Sequence, residues 1–355
     1  MSLDATTLTA LFDPKNKSAQ QLRPDRQLNQ VRFSTCGKFL LAAGHDGRIH
    51  RWEVGGETPT ELPAIGSHNG WVQTLVFRGE EVISADSWGG LRCGPYGGEQ
   101  PTVSWSVPNA HDGWILGLAL SPDGTQLATC GNDRVVRLWN AATGEKQREL
   151  NGHATEVFSI TFATDGQSLF TGDLDGKVKQ WSVADGSIIR EFDATTLHLS
   201  NRLQEVGGAR TLAASRTGHL LVAGTKPKNG GNVQGVPTIL VFDIATANLT
   251  RTLELGKEGD VYVTDLACTA DDVWTATISG NPGTGKVVFF KLDEEKPLFE
   301  TTRLPNCHSI TWHPDGTRFA ISATNAGSNG NGRNLAKDGT YPGNYSPVHL
   351  FALPE

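Results

Sequence analysis

Residues 111–140 read HDGWILGLALSPDGTQLATCGNDRVVRLWN, and residues 153–182 read HATEVFSITFATDGQSLFTGDLDGKVKQWS. Each stretch opens on a histidine, contains a turn rich in Asp and Gly, and ends close to a tryptophan. The histidines His111 and His153 are 42 residues apart, and the two tryptophans are separated by the same interval. Self-similarity at a fixed period of about 40–45 residues predicts a repeat protein in which each repeat is one supersecondary unit.

The repeats have the residue pattern of β-strands. In residues 157–162, Val, Ser and Thr alternate with Phe, Ile and Phe, and an Asp-Gly turn follows. Alternation with a period of two residues, bounded by turn residues, is typical of a half-buried strand. The 355 residues include 41 Gly and 17 Pro, which favours many turns and short strands over long helices.

The repeat resembles the WD-repeat family of β-propellers, whose repeats carry a leading histidine, a turn similar to S-P-D-G and a closing tryptophan. Such turns are found at 34–37 (STCG), 121–124 (SPDG), 163–166 (ATDG) and 313–316 (HPDG). Seven repeats can be counted, so the resemblance implies an all-β fold, a single seven-bladed propeller of four-stranded antiparallel blades over residues 1–355. The innermost strands are expected near 29–33, 72–77, 115–120, 157–162, 209–214, 261–267 and 308–312.

The two ends of the chain are expected to meet in the last blade. The final strand, near 347–353, is only the third strand of the seventh repeat. Propellers of this family usually complete the last blade with a strand from the N-terminus. Residues 1–22 are therefore predicted to be the segment that closes the ring.

A hydroxyl, an imidazole and a carboxylate recur in two repeats. By the resemblance they form a structural network with the closing tryptophan, rather than a catalytic triad, because a catalytic site is needed once. The predicted members are His111, Thr129, Asp133 and Trp139, and then His153, Thr171, Asp175 and Trp181. The second repeat keeps His68 and Ser84 but has Trp88 at the position of the aspartate, where it is either an exposed anchor or packing filler.

No cofactor or metal site is expected. GNPGTGK at 280–286 matches a phosphate-binding loop, but Val287 replaces the Ser or Thr that would hold magnesium, and a strand rather than a helix follows. The ten histidines show no H-x-x-x-H spacing. We therefore interpret 280–286 as a turn.

A partner-binding face is predicted where long turns follow the second strand of the last three repeats. The insertions at 225–237, 279–286 and 325–347 carry a net charge of +4 on a chain of −7, which suggests a modestly anionic partner. Trp71 and Trp114, in H-x-G-W, belong to the same face and are either inner packing or rim anchors. The predicted face comprises Trp71, Trp88, Trp114, Phe158, Lys226, Lys228, Lys286, His308, Arg333, Tyr341 and Tyr345. Flexible Gly/Asn-rich decoration is the alternative reading of the insertions.

These features favour a non-catalytic scaffold that binds a protein or peptide. The alternative is a propeller enzyme, such as a lactonase-like hydrolase or a lyase, with His308, Asn306 and Asp265 at the channel mouth. The acidic net charge argues against nucleic-acid binding, and no apolar run approaches the ~20 residues that span a bilayer. Five widely spaced cysteines without C-x-x-C indicate a reducing compartment, so we expect a cytoplasmic monomer, either on its own or as part of a larger protein or assembly.

Overall fold

A computed structural model of the protein describes residues 3–16, 20–99, 101–200, 205–228, 234–280, 284–325 and 345–354. Seven four-stranded sheets follow one another along the chain, and neighbouring strands within each sheet are antiparallel. The innermost strand of each sheet contacts that of the next, and that of the seventh contacts that of the first. The sheets are therefore the blades of a closed propeller, and the predicted all-β, seven-bladed fold is confirmed.

Each blade has one strand at the centre of the ring and three more that follow it outwards. The innermost strands are Leu28–Phe33, Val72–Arg78, Ile115–Leu120, Val157–Phe162, Thr211–Ala214, Tyr262–Cys268 and Ser309–Trp312. The second strands are Phe39–Gly44, Glu81–Asp86, Gln126–Gly131, Ser168–Asp173, His219–Pro227, Trp274–Ser279 and Arg318–Ser322. The third strands are Ile49–Glu53, Leu91–Pro95, Val136–Asn140, Lys177–Ser182, Gly235–Asp243, Gly285–Phe290 and Val348–Ala352. The outermost strands are Thr60–Ile65, Trp105–Val107, Lys146–Leu150, Ile188–Asp193, Leu249–Glu254, Phe299–Thr301 and Gln20–Leu22.

Three further elements lie outside the blades in the part of the chain that the structure describes. An α-helix spans Ala5–Leu11, and a short 3-10 helix spans Thr195–Leu197. A two-stranded hairpin, His198–Ser200 with Glu205–Gly207, separates blade four from blade five. None of the described helices is long and apolar enough to cross a membrane.

The N-terminal segment closes the ring, as predicted. Gln20–Leu22 pairs antiparallel with Val348–Ala352, with Gln20 opposite Leu350, and is the outermost strand of blade seven. The preceding helix supplies a second anchor, because the ring of Phe12 lies 4.6 Å from that of Phe351 and 5.6 Å from that of Phe299. Blade seven is thus held to the N-terminus by backbone pairing and by aromatic packing.

Four turns of identical geometry connect the first and second strands of blades one, three, four and seven. In each turn a glycine adopts a left-handed φ between 70° and 73°, which costs least without a Cβ. Its N–H donates to the carbonyl three residues earlier at 2.8–3.0 Å. The glycines are Gly37, Gly124, Gly166 and Gly316.

Bulges at the start of the innermost strands tie neighbouring blades together. An irregular register in blades one, two, three, four and six leaves residues without a direct partner on the second strand. A bulge re-aims the side chain of the extra residue. Asn29 donates to the Val72 carbonyl of blade two at 2.7 Å, and Thr264 donates to the Cys307 carbonyl of blade seven at 2.9 Å.

The insertion predicted at 225–237 is largely not a loop. The second and third strands of blade five are each nine residues long and stay paired as far as Pro227 opposite Gly235. Long unbroken pairing satisfies the backbone groups that a loop of this length would leave to solvent. The larger part of the insertion predicted at 325–347 lies outside the described residues.

Candidate functional site

The predicted network is built in blade three from the four expected side chains. Nε2 of His111 lies 2.7 Å from Oγ1 of Thr129, which also accepts a hydrogen bond of 2.9 Å from the indole N–H of Trp139. Nδ1 of His111 lies 2.9 Å from Oδ1 of Asp133. The guanidinium of Arg137 donates to the other oxygen of Asp133 at 2.6 Å.

In blade four the carboxylate comes from Asp173 and not from the predicted Asp175. Nδ1 of His153 lies 2.8 Å from Oδ2 of Asp173, while Nε2 of His153 and the indole N–H of Trp181 both reach Oγ1 of Thr171 at 2.7 Å. Asp173 is the last residue of the second strand, so its side chain already faces the histidine. Asp175 lies beyond that strand, in the following turn.

Blade two also has a carboxylate in its network, although the sequence placed Trp88 at that position. Nδ1 of His68 lies 2.7 Å from Oδ2 of Asp86, and Nε2 lies 2.8 Å from Oγ of Ser84. Asp86 is two residues beyond the hydroxyl, like Asp173 in blade four. Burial by itself raises the pKa of Asp86, but hydrogen bonds from His68 and from the N–H groups of Gly90 and Trp88 outweigh it and lower the pKa.

The threonine networks of blades three and four do not offer a nucleophile. The hydroxyls of Thr129 and Thr171 are fully buried, and each is already bonded to both an imidazole and an indole. A nucleophilic hydroxyl needs access to substrate as well as an adjacent base. Burial also lowers the pKa of His111, although the hydrogen bond to Asp133 acts in the opposite direction. Each network instead links the segment before the innermost strand to the second and third strands of the same blade.

Three tryptophans and a histidine form an exposed cluster on blades one to three, which we call the aromatic face: His45, Trp71, Trp88 and Trp114. The indoles of Trp71, Trp88 and Trp114 are 46%, 67% and 39% exposed. The imidazole of His45 stacks on Trp71 with centroids 4.6 Å apart and planes 4° apart. Trp114 meets Trp71 edge-on at 5.8 Å, so His45, Trp71 and Trp114 are in continuous ring contact, and Trp88 lies on the neighbouring turn of blade two.

The network of blade two also holds this face in place. Oδ1 of Asp86 accepts hydrogen bonds from the backbone N–H of Trp88 at 2.8 Å and of Gly90 at 2.9 Å. Ser87 exchanges two bonds of 3.0 Å with the backbone of Trp71, through its hydroxyl and its N–H. Trp88 is therefore an exposed side chain on a fixed turn and not packing filler.

Phe158 and His308, which were predicted on the partner-binding face, are engaged within the protein. The guanidinium of Arg210 lies 3.7 Å from the centroid of Phe158 and 5.6 Å from that of Tyr262, bridging blades four and six. Nε2 of His308 lies 2.9 Å from the hydroxyl of Thr324. Burial, with a contribution from His45, lowers the pKa of His308 to about 4.

The lysines expected to make this face basic are paired with glutamates. Lys226 lies 2.8 Å from Glu254, and Lys228 lies 2.9 Å from Glu258. Lys286 lies 2.7 Å from Glu300. Each of the three lysines thus has a negative charge beside it, so these residues add no net positive charge to the surface.

The remaining predicted residues lie in or beside the last insertion. Arg333 and Tyr341 lie outside the described residues, as do Lys337 and Asp338. Tyr345 is half-buried, and its backbone N–H donates to Oδ1 of Asn325 at 3.2 Å. Tyr345 is therefore placed at the base of the insertion.

The three residues considered for an enzyme site do not form a common cluster. The carboxylate of Asp265 forms an ion pair with Arg32 at 2.8 Å and accepts a hydrogen bond of 2.6 Å from the hydroxyl of Ser309. His308 is bonded to Thr324, and the side-chain oxygen of Asn306 is buried without a partner among the described residues. Asp265 thus joins blades one, six and seven in an ion-paired contact.

The segment that matches a phosphate-binding loop connects two strands. Ser279 pairs with Gly285 at the end of an antiparallel hairpin, and Lys286 lies within the third strand of blade six. A phosphate-binding loop has to open a helix, whose first N–H groups complete the cradle. Residues 281–283, at the tip, lie outside the described residues.

Sequence reasoning missed Asp86, Asp173, His45 and Arg210. The first two were detectable, since S-x-D at 84–86 and T-x-D at 171–173 place a carboxylate two residues after the hydroxyl. His45 and Arg210 contact residues of neighbouring blades, and a single repeat carries no signal for such contacts.

Comparison with known proteins agrees with the architecture. A family model described as "WD domain, G-beta repeat" matches residues 19–53, 103–140 and 144–182. Polyadenylation factor subunit 2 of Candida albicans is 28% identical over 131 residues, which cover 35% of this chain and 22% of that protein. Topless-related protein 1 of Arabidopsis thaliana is 37% identical over 66 residues, 18% of this chain and 6% of that protein.

A third relative aligns over a similar span. Striatin-4 of Mus musculus is 25% identical over 135 residues, which cover 33% of this chain and 18% of that protein. The chain therefore spans less than a quarter of each of these three relatives. The family model thus matches three separate stretches of the chain, and the closed ring of seven four-stranded blades agrees with this similarity to WD-repeat propellers.

Proposed function

We propose that the protein is a non-catalytic scaffold that binds a protein or peptide through the aromatic face. Propellers of this family typically serve as interaction scaffolds. The observation that carries the proposal is the set of three exposed tryptophans on blades two and three, of which Trp71 and Trp114 are in ring contact. Tryptophan is among the residue types most enriched in binding hot spots.

The cluster is preorganised for binding. Trp71 is held between His45 and Trp114, and Trp88 is on a turn fixed by Asp86. Side chains that are already ordered lose little conformational freedom when a partner covers them, so more of the contact energy appears as affinity. An apolar segment of the partner that spans blades one to three would cover all three indoles.

The sequence prediction placed the centre of the binding surface on the insertions of blades five to seven, whereas the aromatic face lies on blades one to three. The ion pairs of Lys226, Lys228 and Lys286 remove the argument for an anionic partner. An apolar contact surface on blades one to three replaces it.

The test is a quantitative pull-down from extract of the native cells, comparing the wild-type chain with a W71A/W88A/W114A variant. We expect the specifically captured proteins to fall at least tenfold, because truncating even one hot-spot side chain costs about 2 kcal/mol or more. Any protein captured can then be purified and its Kd measured against both chains.

The matched control removes three exposed apolar side chains from outermost strands, in an I188A/I189A/L249A variant. This control should capture the same proteins as the wild type, and both variants should melt within a few degrees of it. Equal capture by the wild type and the tryptophan variant, at equal stability, would move the binding site elsewhere on the propeller.

A further inference from the structure

Three side chains that can bind a metal converge beside blade four. Nε2 of His198 lies 3.8 Å from Oδ1 of Asp175 and 3.9 Å from Oε1 of Glu205. One ligand atom from each residue lies within 4.8 Å of the others, and no other group of three such side chains occurs in the described part of the chain.

The fold brings the three residues together from two elements. Asp175 is in the turn after Ser168–Asp173 and takes no part in the histidine network, because Asp173 fills that role. His198 and Glu205 are on opposite strands of the extra hairpin. In its register His198 faces Gly207 and Ser200 faces Glu205, so the two side chains are diagonal neighbours on one face.

A hydrogen bond determines which nitrogen of His198 is available. Nδ1 lies 2.7 Å from the carbonyl oxygen of Leu174, and a carbonyl can only accept, so Nδ1 carries the proton. Nε2 is then the ring nitrogen that faces the two carboxylates and can coordinate an ion. A backbone carbonyl bonded to the other ring nitrogen is the arrangement that orients metal-binding histidines.

Three potential ligand atoms therefore face one another. Distances of 3.8 and 3.9 Å are too long for hydrogen bonds between Nε2 and the carboxylates, even if Nε2 were protonated. No described side chain donates a hydrogen bond to the carboxylate of Asp175 or of Glu205. A cation between the three atoms would resolve the repulsion between the two carboxylates.

The backbone around the cluster is closely packed. A Cβ on Gly176 would lie 2.4 Å from the carbonyl oxygen of Ala194, and one on Gly207 would lie 1.9 Å from that of Leu197. Both glycines have left-handed φ values, 76° and 109°. The turn that carries Asp175 and the hairpin that carries His198 are thus fixed against the segment that joins them.

We propose that Asp175, His198 and Glu205 bind a divalent transition-metal ion, with Zn²⁺ as the best match. One imidazole nitrogen and two carboxylate oxygens suit Zn²⁺, whereas Mg²⁺ and Ca²⁺ prefer oxygen alone. Tetrahedral Zn²⁺ with bonds of about 2.0–2.1 Å needs ligand atoms about 3.3 Å apart. Nε2 of His198 therefore has to approach each carboxylate by about 0.5 Å, and the two carboxylate oxygens, which lie within 4.8 Å of each other, have to reach the same spacing. Water fills the fourth position, and the ion fastens the hairpin to blade four.

The test uses tag-free protein that is stripped with EDTA, dialysed into metal-free buffer at pH 7.5 and titrated with ZnCl₂ by calorimetry. We expect one equivalent to bind with a Kd in the micromolar range, and a hundredfold excess over Kd to raise Tm by about 3 °C. A D175N/E205Q variant keeps the shape of the side chains but should bind at least tenfold more weakly and lose the rise in Tm.

The matched control is D165N/E191Q, which makes the same change of charge on two exposed acids of the same blade. It should bind Zn²⁺ like the wild type. Zn²⁺ binding that is absent, or that is equally strong in D175N/E205Q, would overturn the proposal, as would equally strong binding of MgCl₂ or CaCl₂. The result is independent of the aromatic face, whose residues are unchanged in both variants.

Discussion

The spacing between hydroxyl and carboxylate takes two values in the histidine networks. Four residues separate Thr129 from Asp133 in blade three, whereas two separate Thr171 from Asp173 in blade four. Both aspartates place an oxygen within 2.8–2.9 Å of Nδ1 of the histidine. A carboxylate from the end of a strand and one from the following turn can therefore satisfy the same buried imidazole.

The assignment of Asp173 leads to a prediction for stability. Its two oxygens accept separate bonds, from Nδ1 of His153 at 2.8 Å and from the N–H of Lys177 at 2.8 Å. Asparagine has a single side-chain oxygen, so D173N leaves one of these N–H groups without an acceptor. We expect the free energy of unfolding to fall by about 1–3 kcal/mol, measured by urea denaturation in the presence of EDTA.

Asp175 provides the internal comparison, because it lies two residues away and outside the network. D175N in the same metal-free buffer should change the free energy of unfolding by about 0.5 kcal/mol or less. A larger loss for D175N than for D173N would return the network role to Asp175.

Two histidines should make the protein sensitive to mild acid. Burial lowers the pKa of His308 to about 4, with a contribution from His45, and burial beside Arg23 lowers that of His349 to about 4. Between pH 6.5 and 4 the unfolded chain binds protons that the folded chain does not, so stability is lost as the pH falls through this window. The loss should be absent above pH 7.

The contribution of His308 can be isolated with H308Q, since glutamine can still bond to Thr324 but does not titrate. From pH 7 to pH 5 this variant should lose less stability than the wild type, by on the order of 1 kcal/mol. Urea denaturation at both pH values measures the difference. Parallel losses in the two proteins would mean that His308 titrates normally in the folded state.

At the scale of elements, the sequence predicts strands well where alternation runs into an Asp-Gly turn. Blades three and four have both signals, and their innermost strands, Ile115–Leu120 and Val157–Phe162, coincide with the predicted spans. The hairpin of His198–Ser200 and Glu205–Gly207 was not predicted. Strands of three residues are too short to display a period of two, and the described parts of the other repeats contain no second hairpin of this kind.

The candidate site was predictable only in part, for a related reason. The position of Trp71 and Trp114 after the leading histidine places both on one face, which follows from the repeat alone. Their packing with His45 depends on contacts between blades. The pairing of Lys226 with Glu254 depends on strand register across blade five, which the sequence does not specify.

At the scale of the whole molecule, the ring has one joint at which strands distant in sequence complete a blade. Residues 20–22 pair with residues 348–350, and the rest of blade seven comes from the C-terminal part of the chain. Residues 20–22 cover the outer edge of the third strand of blade seven, so removing them exposes the backbone of Val348–Ala352. Closure thus affects the cooperativity of unfolding as well as the stability of one blade.

Deleting residues 1–22 should therefore lower Tm and cause self-association, because the exposed third strand of blade seven becomes an edge that can pair with another chain.

F12A keeps the closing strand but removes a 5% exposed ring that packs on the phenylalanines of blades six and seven. It should lower the free energy of unfolding by about 3–5 kcal/mol without causing association. Q21A, on the exposed side of the closing strand, should be close to neutral. Calorimetry and gel filtration distinguish the outcomes: a truncated chain that melts and elutes like the wild type would mean that the closing segment contributes nothing to the ring.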